Sequence, residues 1–417
     1  MATNFWYHLF FFLLYLLHFS VSPSLSASTD FPKSGFITLP IHTDPITNQY
    51  STSLGIGTPR HNFNLVIDLD GLSVWYDCDK HYNSSSYHHV PCDSKICGLS
   101  PCQDCNNDGP LRPGCTNQTC IDFIFNPFVP LQFPGNLGED LLYLPGIKVP
   151  HTFFSACQES DSFKFTGFTL LSNLTKGAKG MLGLAKTRFA LPNQISSKYN
   201  VPPKFTLCLP SSMKRGIGKL FIGGRPNHRT PVPVSMTGFI SSKEEYFIHV
   251  KSIHIDNKPI KFDTSLLSID KKGNGGTKIS TMKPFTVLHH SIYKPFVKDF
   301  VKKAEDRKIK RVKSLHPFGA CFDARTIVTG VPDIKLIVGG RIRDESFEIC
   351  AHNSLVEARK GVVCLAFVDG GRDGGATIVI GGHQLEDRIM EFDLSTSILS
   401  FSSSLLLHNA SCSDQLL

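Results

Sequence analysis

The chain has 417 residues, 41% of them hydrophobic and 19% charged, with 13 cysteines and a formal net charge of +8. That length exceeds what one hydrophobic core usually serves and predicts two lobes, while the apolar content excludes a disordered chain. After the opening segment no apolar stretch is long enough to span a bilayer, so a soluble mature protein is expected.

Residues 1–27 carry an apolar run, Phe10 to Leu17, and a small-residue exit at Ser24-Leu25-Ser26-Ala27. They read as a secretory signal peptide, although the first positions lack Lys or Arg. Secretion sets the expectation for the cysteines, which in an oxidising compartment form a disulfide framework with one thiol left over. Six of them, Cys92, Cys97, Cys102, Cys105, Cys115 and Cys120, crowd into an insert at 92–120. The spacing of Cys102 and Cys105 also occurs in zinc sites, but bridges are the expected use there, with no metal and no cofactor. Sequons at Asn83, Asn117, Asn173 and Asn409 fit the surface loops of a glycoprotein.

From Ser28 onward, short β-type runs alternate with Gly, Pro and Asn turns almost to the C-terminus, so the chain is expected to be mainly β. An N-terminal lobe is placed over 28–230 and a C-terminal lobe over 231–417, with an extended, proline-rich connector near Arg225 to Gly238. Apolar residues at helical spacing make Ser291 to Val301 the best helix candidate. A basic run from Lys302 to Lys313 suits an acidic cell-wall polysaccharide such as pectate, or a solvated helix face, whereas nucleic acid is not a partner expected outside the cell. The histidine pairs His88-His89 and His289-His290 read as turns or surface, because neighbours in an extended chain point apart.

One frame occurs twice. Tyr50 to Pro59 contains Ile56-Gly57-Thr58-Pro59 and is followed by the apolar strand Leu65-Val66-Ile67, then Asp68-Leu69-Asp70-Gly71, with Trp75 seven residues after Asp68. Later, Lys278-Ile279-Ser280-Thr281-Met282 is followed by Phe285 and Leu288. Each copy has a downstream apolar-Gly strand, Met181-Leu182-Gly183-Leu184 and Ile378-Val379-Ile380-Gly381-Gly382. These segments resemble the pepsin-like aspartic proteases, which implies a bilobal β fold whose lobes are related by a pseudo-twofold axis. By that resemblance Asp68 takes one catalytic position, and Ser280 stands where the second Asp would be. Hydrolysis of this type needs two carboxylates sharing a proton, and a hydroxyl replaces neither. Asp70 stands where the family has Gly, and the flap segment Phe128 to Asp140 has no Tyr at its tip. Two readings of the remaining acids stay open. Asp68 and Asp70, at i and i+2 on a strand, could act as a pair in a weak hydrolase or hold a hard cation; otherwise Asp68 hydrogen-bonds inside its turn and Asp70 sits in solvent.

Four further stretches, Gly177 to Pro192, Pro317 to Phe322, Cys364 to Gly371 and Ile380 to Asp387, are similar to one plant family. It comprises xyloglucan-specific endoglucanase inhibitors, the extracellular dermal glycoprotein, wheat-type xylanase inhibitors and basic 7S globulins. The resemblance implies an inactive protease body and bridges Cys78 to Cys157, Cys208 to Cys412 and Cys321 to Cys364, leaving Cys350 unpaired. It further implies a secreted defence protein of the plant cell wall that binds and inhibits a microbial glycoside hydrolase through loops of the C-terminal lobe. His408, four residues before Cys412, matches the inserted residue of inhibitory members, and Arg325 is the candidate on the short loop after Cys321. A basic 7S storage or signalling globulin without inhibitory activity is the alternative.

Overall fold

The computed structural model describes residues 29–78, 82–98, 100, 102–103, 119–158, 167–212, 216–226, 232–240 and 243–414. The segment 1–27, Cys105, Cys115 and Asn117 lie outside the described residues, as does the side chain of Cys102.

Two similar halves meet in a sheet to which each contributes three strands. Ile37–Thr43, Gly218–Ile222 and Lys204–Cys208 come from the first half; Met390–Asp393, Ile398–Ser402 and Val234–Gly238 come from the second. The seam is the antiparallel pairing of Phe205 with Phe392, whose rings stack at 4.6 Å and bury a large apolar area at the junction. The expected connector near Arg225 to Gly238 thus ends as a paired outer strand, Val234–Gly238 against Ile398–Ser402.

Above this floor each half repeats one arrangement. In the first, Gly180–Gly183 runs parallel to His61–Asp68 and antiparallel to Val74–Asp77, which in turn runs parallel to Ile147–Gln158. In the second, Ile378–Ile380 runs parallel to Thr277–Ile279 and antiparallel to Thr286–Leu288, which runs parallel to Phe367–Asp369. The correspondence of pairings gives the pseudo-twofold relation. These central strands are nearly continuous buried apolar runs, as strands covered on both faces must be. Gly183 is required by close approach, since a Cβ there would lie 2.2 Å from Ser73 O and 2.5 Å from Gly71 O.

The predicted helix extends over His290–Asp306, with Ile292, Phe296, Phe300 and Ala304 at i, i+4, i+8 and i+12 all buried. Phe296 packs on Phe367 at 4.7 Å and Phe300 faces Phe322 at 6.0 Å, fixing the helix to the back of the second half. Leu191–Tyr199 forms a shorter helix that the sequence reading did not single out. Disulfides join Cys78 to Cys157, Cys97 to Cys120, Cys208 to Cys412 and Cys321 to Cys364. Cys92 takes part in a further bridge, and Cys350 carries a free thiol.

Candidate functional site

The two halves place the turns Asp68-Leu69-Asp70 and Ser280-Thr281-Met282 face to face at the base of a cleft of about 910 Å³. Each turn is anchored to its own parallel strand, by Leu184 N donating to Asp68 O at 2.9 Å and by Ser280 N donating to Ile380 O at 3.0 Å. Thr281 fastens them together. Its Oγ1 donates to Ile67 O at 2.7 Å and accepts from Leu69 N at 3.2 Å. Leu69, at the equivalent position of the first turn, has no hydroxyl to return this contact, so the clasp between the turns is one-sided.

Asp68 is 2% exposed, and its Oδ1 accepts from Asp70 N at 2.8 Å inside the turn. Burial raises its pKa to about 7; the nearby Asp70 charge adds to the rise, while the backbone donors of Asp70 and Gly71 and the Lys278 ammonium oppose it. Asp70 does not sit in solvent, which corrects one expectation. Ser280 Oγ donates to Asp70 Oδ2 at 2.7 Å, and Lys278 Nζ lies 3.2 Å from the same oxygen. Lys278 also reaches Glu245 Oε1 at 2.8 Å, so a cation of the second half bridges Asp70 of the first half's turn and Glu245 on its own side of the cleft. Desolvation pushes Asp70 upward, against Lys278 and the Ser280 hydroxyl, and leaves it above the usual carboxylate range. Asp70 Oδ1 is buried and meets no donor. The acid therefore reaches across to the serine because that hydroxyl and the lysine are the polar partners within range of its desolvated carboxylate.

The cleft wall is the hairpin of Thr119–Phe125 and Gln132–Leu144, whose turn spans residues 126–131. The flap segment Phe128 to Asp140 thus comprises part of that turn and its return strand. Phe123 and Phe125 stand half-exposed over the cleft, and Asp122 is raised by burial against a hydrogen bond from Ser73. Lys278, Glu245 and Asp122 were not singled out in the sequence. Lys278 was within reach, because i and i+2 on a strand share a face with Ser280; Glu245 and Asp122 are brought in by tertiary folding alone.

The loop candidates lie away from this cleft. Arg325 is exposed on a short 3-10 turn, where Nη2 and Nε hold the carboxylate of Asp323 at 2.8 and 3.0 Å. Those contacts lower Asp323 to about 2. His408 ends the 3-10 turn Leu405–His408, with Nε2 2.9 Å from Ser403 Oγ and the exposed Leu407 beside it. Asn409 follows in the left-handed conformation and is exposed, as are Asn83 and Asn173. His290 pairs with Asp369 at 2.7 Å, and the His289 ring accepts from Ser291 N at the helix start. Among the described residues no cluster of three or more His, Cys, Asp or Glu could hold a metal.

Paired lobes, paired strand-turn motifs and a cleft between them define a bilobal pepsin-like protein. Two family models cover most of the chain, "Xylanase inhibitor N-terminal" over residues 50–224 and "Xylanase inhibitor C-terminal" over residues 245–403. The chain belongs to this xylanase-inhibitor-like family of the aspartic-protease fold. It is 38% identical to "Probable aspartic proteinase GIP2" of Nicotiana benthamiana over 96% of both chains. Among solved structures it matches that described as "edgp" with a TM-score of 0.83 and 38% identity, covering 91% of this chain and 97% of that one. It also matches basic 7S globulin from soybean, with a TM-score of 0.79 and 30% identity over 92% and 99%. No helix among the described residues is long and apolar enough to cross a membrane.

Proposed function

We propose that the chain is a secreted, non-proteolytic member of its family that binds and inhibits a microbial cell-wall glycoside hydrolase, an endoglucanase, xyloglucanase or xylanase. The observation that carries the first half of this reading is the hydroxyl of Ser280 in the place facing Asp68. A protease of this fold shares one proton between two carboxylates so that one activates water while the other protonates the scissile carbonyl. Here the nearest other carboxylate, Asp70, belongs to the same turn as Asp68 and is engaged by Ser280 and Lys278. That engagement also counts against a weak hydrolase built on Asp68 and Asp70. The relative named a probable aspartic proteinase does not bear on this point, because function rests on the site and not on the fold.

Support for the inhibitory half comes from family membership and from His408. A retaining hydrolase exposes two carboxylates in a groove, and an imidazolium inserted between them would form desolvated, charge-assisted hydrogen bonds. His408 has one ring nitrogen on Ser403 and the other without a hydrogen-bond partner among the described residues, on a turn whose neighbour Leu407 is 58% exposed. Arg325 is the weaker candidate because its charge is already spent on Asp323.

The alternative, a 7S-type storage or signalling globulin, is favoured by the Asn409 sequon, since a glycan beside His408 would obstruct insertion. Incubating the purified chain with endoglucanase, xyloglucanase and xylanase panels at about pH 5, where an ordinary His is charged, separates the two. Inhibition that falls at least tenfold in His408→Ala supports the proposal. Failure to retain or inhibit any enzyme, with the Asn409 glycan removed, would assign the globulin role.

A further inference from the structure

The helix His290–Asp306 buries Ile292, Phe296 and Phe300 and turns Lys294, Lys298 and Lys302 to solvent. These three lysines recur every four residues, so their stems rise along one face in steps of about 6 Å. None of the three has an ion-pair partner within 4 Å among the described residues. The acids nearest them are largely taken: Asp299 by Lys303 at 2.6 Å, Asp369 by His290 at 2.7 Å and Asp256 by Arg307 at 2.9 Å. Glu305 and Asp306 are the exceptions, both near the helix end.

The ladder is also the ridge between two concavities of about 550 Å³ each. Lys298 and Lys302 line both. On one side the floor is Pro259, Ile260 and Pro295, rimmed by the exposed Lys258 and Lys261 and, beside Lys303, by Asp299 and Asp306. On the other the floor is Tyr293, Val297 and Val301, rimmed by Lys294 and Arg311 together with Glu305 and the His290–Asp369 pair. Neither concavity shares a residue with the cleft between the lobes.

We propose that this face binds a linear polyuronate, a polysaccharide carrying one carboxylate per sugar. The ammonium groups are point charges on flexible stems, suited to carboxylates that recur along a polymer in varied orientations. The apolar floors suit the C–H faces of sugar rings. A single-stranded nucleic acid fits less well, because base stacking needs open aromatic rings and Tyr293, the ring in these floors, is 9% exposed. Attraction of this kind concentrates the protein on an anionic polymer and weakens as salt rises. The inference does not depend on inhibition of any hydrolase, since it concerns a different face.

The test is affinity electrophoresis of the purified full chain in native gels containing polygalacturonate, a neutral glucan, dextran sulfate or single-stranded DNA. The wild type should be retarded by polygalacturonate at low salt, released as salt is raised, and unaffected by the neutral glucan. K294Q/K298Q/K302Q should weaken apparent binding about tenfold. K176Q/K198Q/K271Q, which removes the same charge from exposed sites elsewhere, should leave it within about twofold. K258Q/K261Q should give an intermediate loss through the flanking concavity. Equal losses in the two triple variants would reduce the effect to net charge and overturn the proposal. So would full retention by K294Q/K298Q/K302Q, or tighter binding of dextran sulfate or DNA than of polygalacturonate.

Discussion

Ser280 and Asp70, 210 positions apart in sequence, share a 2.7 Å hydrogen bond in which the serine hydroxyl donates to the carboxylate. Asp70 stands in the first turn where the pepsin-like pattern has glycine, and Ser280 stands in the second where that pattern has aspartate. The two departures therefore meet each other. A carboxylate at 280 would confront Asp70 at a distance where like charges cannot both ionise.

Ser280→Asp alone is accordingly expected to gain no peptide hydrolysis and to lose roughly 2 kcal/mol of stability at pH 7, with less loss at pH 4 where carboxylates protonate. Ser280→Asp combined with Asp70→Gly removes the conflict and should be as stable as the wild type or nearly so. Thermal melts of the three proteins at both pH values check this; equal stability of the single variant and the wild type at pH 7 would count against the geometry.

Asp68 gives a pH signature. Its folded pKa of about 7 lies above the ordinary aspartate value of about 3.9, so the folded state holds a proton that the unfolded chain has released. The stabilisation attached to that proton is complete below about pH 4 and is lost as pH rises through about 7. Asp68→Asn removes the titration while keeping an acceptor for Asp70 N. Its denaturant midpoint should fall less than that of the wild type between pH 4 and 8, and parallel curves would show that Asp68 does not hold the proton.

Lys278 is the cation that makes the desolvated carboxylate of Asp70 tolerable. Lys278→Met strands Asp70 and Glu245, and because all three side chains retain some exposure the expected cost at pH 7 is about 1–2 kcal/mol. The cost should shrink as pH falls and Asp70, raised by burial, takes up a proton. A loss that is constant with pH would assign Lys278 to packing and not to charge.

The halves are also tied away from the cleft. Tyr50 Oη donates to Glu386 Oε1 at 2.9 Å, with Ser212 Oγ at 3.2 Å from the other oxygen and His383 Nδ1 3.3 Å from it. Tyr50 and Glu386 are 1% and 3% exposed, so Tyr50→Phe leaves a buried carboxylate oxygen without its donor and should cost about 1–3 kcal/mol. A calorimetric melt within 1 °C of the wild type would refute that role.

Much of this was legible in the residues because strand motifs and helical periodicity are local. The turn at Asp68, the turn at Ser280 and the helix around Phe296 each declare themselves within a dozen positions, and the apolar-Gly strands at Gly183 and Gly381 mark where the chain must pass close behind each turn. The polar wiring was not legible. Whether Asp70 faces solvent or Ser280 depends on how two halves dock, and Glu245 and Asp122 reach the cleft from segments with no motif of their own. Lys278 was the exception, readable from its alternation with Ser280 yet easily taken for an ordinary strand-surface lysine.

A cleft with a hydroxyl opposite Asp68 is expected not to cut peptides. Turnover of an unfolded protein substrate by the purified wild-type chain, measured between pH 3 and 6 with and without pepstatin and beside Asp68→Asn, decides this. The same background is expected in all three. Cleavage that pepstatin blocks and Asp68→Asn abolishes would contradict it.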